Sequence, residues 1–85
     1  MSTFLITYDL RDPDYEKDLL KFLENAQMVA ESSYVITTDW TAQQLVDGVK
    51  RATKEKVTVY VFPIGKGGGF GPKSVNDWLL KKGLV

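Results

Sequence analysis

The chain has 85 residues, eleven basic and eleven acidic side chains, no histidine and no cysteine, for a formal net charge of +0 at pH 7. Without His and Cys there is no Ser-His-Asp triad, thiol nucleophile, disulfide or zinc site of the usual ligand set. A domain of this length buries only about 60–65% of the surface its unfolded chain exposes. With disulfides excluded, self-association is the leading way to supplement so thin a core.

The first element is a strand, Thr3 to Asp9, in which Phe4, Ile6 and Tyr8 alternate with Leu5, Thr7 and Asp9. A helix follows in "DPDYEKDLLKFLENA": Asp12 can cap it, Pro13 suits its first position, and Tyr15, Leu19, Phe22, Leu23 and Ala26 form an apolar stripe. "QMVAESSYVITTD" reads as two short strands with a tight turn at Glu31–Ser33. "TAQQLVDGVKRAT" opens with Thr41 and Gln44 at capping-box spacing and sets Leu45, Val46, Val49 and Ala52 on one side, which predicts a second amphipathic helix. In "VTVYVFPI", Val57, Val59 and Val61 alternate with Thr58, Tyr60 and Phe62, and Pro63, lacking an N–H, should end the strand or lie at an edge. The glycine-rich "GKGGGFGP" reads as a flexible connector. The "SVNDWLLKKG" beyond it reads as a short helix capped by Ser74 with Asp77 and closed by Gly83.

This order predicts an α+β fold: a ferredoxin-like βαββαβ sandwich with an additional short C-terminal helix, as one domain over residues 1–85. Two main helices cover one face of such a sheet. The other face would carry an apolar row such as Leu5, Tyr60 and Phe62, which predicts a homodimer. No stretch approaches the roughly 20 apolar residues of a membrane span. The start "MSTFLITYD" lacks the basic residues and cleavage site of a secretion signal, so a cytoplasmic location and no membrane partner are expected.

The balanced charge hides an asymmetry. Residues 1–47 hold nine acids and three bases, and residues 48–85 hold eight bases and two acids. These are either solvated faces or a phosphate-binding edge opposite an acidic one. Asp9, Asp12 and Asp14 are hard oxygen ligands of the kind Mg²⁺ and Mn²⁺ accept. Asp12 is accounted for as a cap and Asp14 as a first-turn acid, whereas Asp9 ends a strand before the next turn begins and is a turn former, a cap or a ligand. The glycine run matches no phosphate-loop signature, although Lys66, Lys73 and the helix start at Ser74 could grip a phosphate. Tyr60 and Phe62, taken as lying on a central strand, resemble the stacking aromatics of an RNA-binding sheet but lack its signature. Trp40 and Trp78 read as packing residues, Trp40 seating the second helix on the sheet edge.

With "ITYDL" ending the first strand, then "SSYVITTD", "VTVYVFPI" and a late "WLL" helix, the chain resembles the Cas-two-like family of small CRISPR-associated proteins, most closely its SinR-like relatives. The resemblance spans nearly the whole chain, with "YDL" its specific element. It implies a ferredoxin-like homodimer joined through sheet surfaces and an Asp at the end of the first strand, here Asp9, as the metal ligand. Two departures stand out: Arg11 is the only base close after the acid, and "SYVITTD" replaces a Ser-x-Phe-type motif. Two functions are therefore expected side by side. One is a nucleic-acid-associated, Mg²⁺- or Mn²⁺-dependent endonuclease acting on RNA or DNA, with catalytic Asp9 and with Lys50, Arg51, Lys54 and Lys56 holding the backbone. The other is a non-catalytic dimeric interaction module, antitoxin-like or regulatory, with a protein partner.

Overall fold

In the computed structural model, which describes residues 1–85, β1 (Ser2–Leu10) leads through a 3₁₀ turn (Pro13–Tyr15) into α1 (Glu16–Phe22). There follow β2 (Gln27–Ala30), β3 (Ser33–Thr38), α2 (Ala42–Ala52), β4 (Val57–Pro63) and α3 (Lys73–Lys81). The four strands form one sheet in the order β2-β3-β1-β4, with every neighbouring pair antiparallel. β1 and β2, joined through α1, therefore run parallel with β3 between them. β3 and β4, joined through α2, run parallel with β1 between them.

The period-two alternation of β1 divides the molecule. Phe4 and Ile6 face α1 and α2, where they join Leu19, Leu23, Leu45, Val49 and Val57 in the core. Only eleven of 85 residues are buried, so the core is as thin as the length requires. α1 is shorter than its apolar stripe predicted. Pro13–Tyr15 wind as a 3₁₀ turn with the Tyr15 N–H on Asp12 O, and at the other end the Leu23 N–H tightens onto Leu19 and Lys21. α2 is held by a complete capping box: the Gln44 N–H donates to Thr41 Oγ1 at 3.1 Å and the Thr41 N–H to Gln44 Oε1 at 2.8 Å. At its end the buried Thr53 hydroxyl donates to Val49 O at 2.8 Å, satisfying a polar group inside the core. The helices approach closely at Gly48, where an added Cβ would lie 2.3 Å from Phe22 Cζ.

The turn between β2 and β3 contains Ser32 with φ 60°, the left-handed conformation a tight reversal needs. Pro63 ends β4, which is an edge strand and not the central strand that the comparison of Tyr60 and Phe62 with an RNA-binding sheet assumed. The Ser74–Asp77 capping box does not form. Pro72, with φ −56° and ψ 145°, takes the N-cap, its carbonyl accepts from Val75 and Asn76, and Asp77 pairs with Lys73 at 2.7 Å. Gly83 (φ 73°) closes α3 as expected, with the Leu84 N–H reaching Leu79 O.

The second sheet face is less bare than two helices imply. Val35 pairs with Leu5 on the face away from the core, yet it is only 4% exposed. The connector turns α3 back over β2 and β3, so that Val75, Leu79 and Leu84 line an apolar cavity of about 320 Å³ together with Val29, Val35 and Ile64. The β4 half of that face stays open, with Tyr60 60% and Phe62 52% exposed and their rings stacked at 6.4 Å. No helix is long and apolar enough to cross a membrane.

Candidate functional site

The end of β1, the start of β4 and the C-terminus of α2 come together at one end of the molecule, since Asp9 pairs with Thr58 and Leu10 with Val57. Alternation sends neighbouring side chains apart. Asp9 is exposed on the open face, beside Thr58 and close to Tyr60. Arg11 turns toward the loop after α2, where its Nη2 donates to Val57 O at 3.1 Å and its backbone N–H to Lys56 O at 2.9 Å. This clamp steadies Lys54 and Glu55, both in left-handed backbone at φ 52° and 63°. Arg11 is thus committed to backbone carbonyls.

The three acids raised by the sequence separate cleanly. The Asp12 carboxylate accepts the Asp14 N–H at 3.0 Å and is the cap of the 3₁₀ turn. Asp9 has no comparable partner, and the chain's two ion pairs, Met1–Asp39 and Lys73–Asp77, lie elsewhere. Its carboxylate faces solvent at the rim of an aromatic patch. No group of three or more His, Cys, Asp or Glu gathers in one chain to hold a metal ion. A cation at Asp9 would therefore draw its other ligands from water, a phosphate or a second copy of the chain.

Lys50, Arg51, Lys54 and Lys56 are all exposed. Their placement also suits the negative end of the α2 dipole. Lys50, Arg51 and Lys54 border one cleft of about 430 Å³ with Glu55. Lys56 borders neither this cleft nor the two that adjoin it. On one side Arg51 is shared with a cleft of about 210 Å³ formed by Trp40, Gln44 and Asp47. On the other, Lys50 and Glu55 are shared with a cleft of about 370 Å³ that reaches Arg11, Thr58 and Tyr60 at the β4 edge. Trp40 does not seat α2 on the sheet edge. Its ring packs on Phe22 of α1 at 5.9 Å and stays 48% exposed.

The sequence groups the four bases and offers Tyr60 as a stacking residue, but it reads Trp40 as packing and joins neither ring to those bases. Part of the signal was present, since Gln44, Asp47 and Arg51 recur at helical spacing opposite Leu45 and Val49. In the glycine connector the Gly67 N–H donates to Leu84 O at 2.6 Å and Lys73 is engaged with Asp77, so neither is free for a phosphate. Compared with protein-family models, curated proteins and solved structures, the chain matches none.

Proposed function

We propose that the protein is a ferredoxin-like, Cas-two-like homodimer that associates with RNA or DNA, with Asp9 serving as the divalent-metal ligand of a phosphodiester-cleaving site. The observation that carries this reading is the Asp9 carboxylate, unpartnered and exposed at the open sheet face beside a patch that contains Tyr60 and Phe62. The strand order β2-β3-β1-β4 with two split βαβ units supports the ferredoxin-like assignment. Pairing two copies across the open face around Leu5 and Phe62 would cover part of that patch and bring the two Asp9 carboxylates toward a shared edge, with Tyr60 left at the rim. Mg²⁺ or Mn²⁺ held there would stabilise charge on a phosphoryl group and lower the pKa of a bound water. Lys50, Arg51 and Lys54 would hold the phosphates of the approaching strand, with Lys56 adding charge nearby.

A second reading, a dimeric interaction module without cleavage, draws on the absence of any group of three or more His, Cys, Asp or Glu within one chain. Light scattering and a cleavage assay separate the two. The expected particle has twice the 9.6 kDa chain mass. Cleavage of single-stranded RNA or duplex DNA should require Mg²⁺ or Mn²⁺ and collapse in Asp9→Asn, which keeps the shape and loses the charge. A folded monomer would remove the paired site. A dimer that cleaves nothing under any metal condition would establish the module, and cleavage undiminished in Asp9→Asn would exclude Asp9 as ligand.

A further inference from the structure

We propose that the solvent face of α2 is a track for single-stranded nucleic acid, with an unstacked base lying on Trp40 and the backbone running over Arg51, Lys50 and Lys54 toward Tyr60 at the β4 edge. The inference rests on the nucleic-acid reading above and specifies the form of the ligand and its path. Three clefts form the track and join through shared residues: Arg51 links the first to the second, and Lys50 and Glu55 link the second to the third. From Gln44 to Arg51 the helix rises about 10 Å. With the flanking clefts, the track suits the short end of the roughly 4–16 nucleotides that a single-strand binding surface covers.

The side chains match that ligand in kind and order. Trp40 is half exposed while Phe22 supports its ring at 5.9 Å, so a base could stack on it without first displacing a core side chain. Gln44 uses its Oε1 in the capping box, which leaves its amide N–H groups at the cleft. Asp47 accepts from Gln43 through Oδ1 alone, which leaves Oδ2. A base edge thus meets one donor and one acceptor beside the ring. The next stretch is basic, and no intramolecular ion pair neutralises Lys50, Arg51 or Lys54. Tyr60, 60% exposed, ends the track as a second aromatic surface two register positions from the Asp9–Thr58 pair. A duplex encloses its base faces and could satisfy only the charges. An acidic peptide would likewise leave Trp40 and Tyr60 without a partner. Alternating aromatic and basic side chains are the arrangement that stacks bases and follows phosphates together.

The test is anisotropy of fluorescein-labelled eight-nucleotide RNA and DNA strands, and of the same sequence as duplex, with the full chain in chelator. The single strands should bind more tightly than the duplex. Trp40→Leu, which keeps apolar packing on Phe22 but removes the π face, should weaken single-strand binding roughly 5- to 150-fold. Trp40→Phe should restore most of it. Arg51→Gln should make the logarithmic salt dependence shallower by about 0.7, the value for one phosphate contact on a single strand. Circular dichroism of each variant separates lost contacts from lost fold. Equal single-strand affinity of folded Trp40→Leu and the unmodified chain, or a preference for duplex, would overturn the track while leaving the nucleic-acid reading standing. Absence of binding to any strand would overturn both.

Discussion

Gly48 sits within α2, where Ala would ordinarily stabilise a helix by about 0.8–1 kcal/mol. Here the sign should reverse, because the added Cβ would lie 2.3 Å from Phe22 Cζ and 2.5 Å from Cε1. To reach ordinary contact near 3.4 Å the ring must retreat about 1.1 Å from its position at 2.3 Å, and Trp40 lies against it at 5.9 Å. Overpacking of this kind costs about 1–3 kcal/mol. Gly48→Ala should therefore be destabilising by roughly 0.5–2 kcal/mol, despite its better helix propensity. In a Phe22→Leu background the obstruction is removed, and the same Gly48→Ala change should stabilise by about 0.5–1 kcal/mol. Urea unfolding of the four proteins measures this directly, provided the m-values agree. The double-mutant cycle should give a coupling between positions 22 and 48 of about 1–3 kcal/mol. Stabilisation by Gly48→Ala in the unmodified background, with no coupling to position 22, would refute the packing of Phe22 on Gly48.

Two further outcomes follow from single side chains. Burial, and then the neighbouring Tyr34, raise the Tyr8 phenol above its ordinary value of 10.0. Its contribution to stability is therefore present below pH 10.0 and lost as pH rises through the higher folded-state value. Tyr8→Phe should lose less stability across that alkaline window, read by urea unfolding at stepped pH, and an identical loss in both proteins would exclude Tyr8 as the group responsible. Phe70 is 94% exposed within a run of glycines, so brief chymotrypsin treatment should cut first after Phe70. First cleavage at Tyr60 or Leu20 instead would show that the connector is held more firmly than its side chains suggest.

The sequence by itself determined the local elements, because their signals are local. Alternation in β1 and β4, the Thr41–Gln44 box, the turn around Ser32 and the termination at Pro63 and Gly83 each depend on a few neighbouring residues, and all are present in the structure. Composition likewise excluded thiol and imidazole chemistry outright. Asp9 stood out because no nearby backbone needed it as a cap, and its carboxylate remains unpartnered in the fold. The tertiary structure decided what long-range packing controls. The start of α3 shifted from a Ser74 cap to Pro72, and α3 itself lies on the second sheet face, because a glycine connector sets no direction and the apolar side chains of Val29, Val35 and Ile64 provide a surface for it. Trp40 belongs to Phe22 and the α2 surface, and not to the sheet edge, because α1 and α2 approach closely enough at Gly48 to place Phe22 beneath it. The same packing dispersed the acidic and basic halves of the chain: Asp47 and Glu55 stand among Lys50, Arg51 and Lys54, and Arg11 crosses over to hold the loop beside them. Charge along a sequence records composition, whereas the field a ligand meets depends on which side chains the sheet and helices bring to one surface.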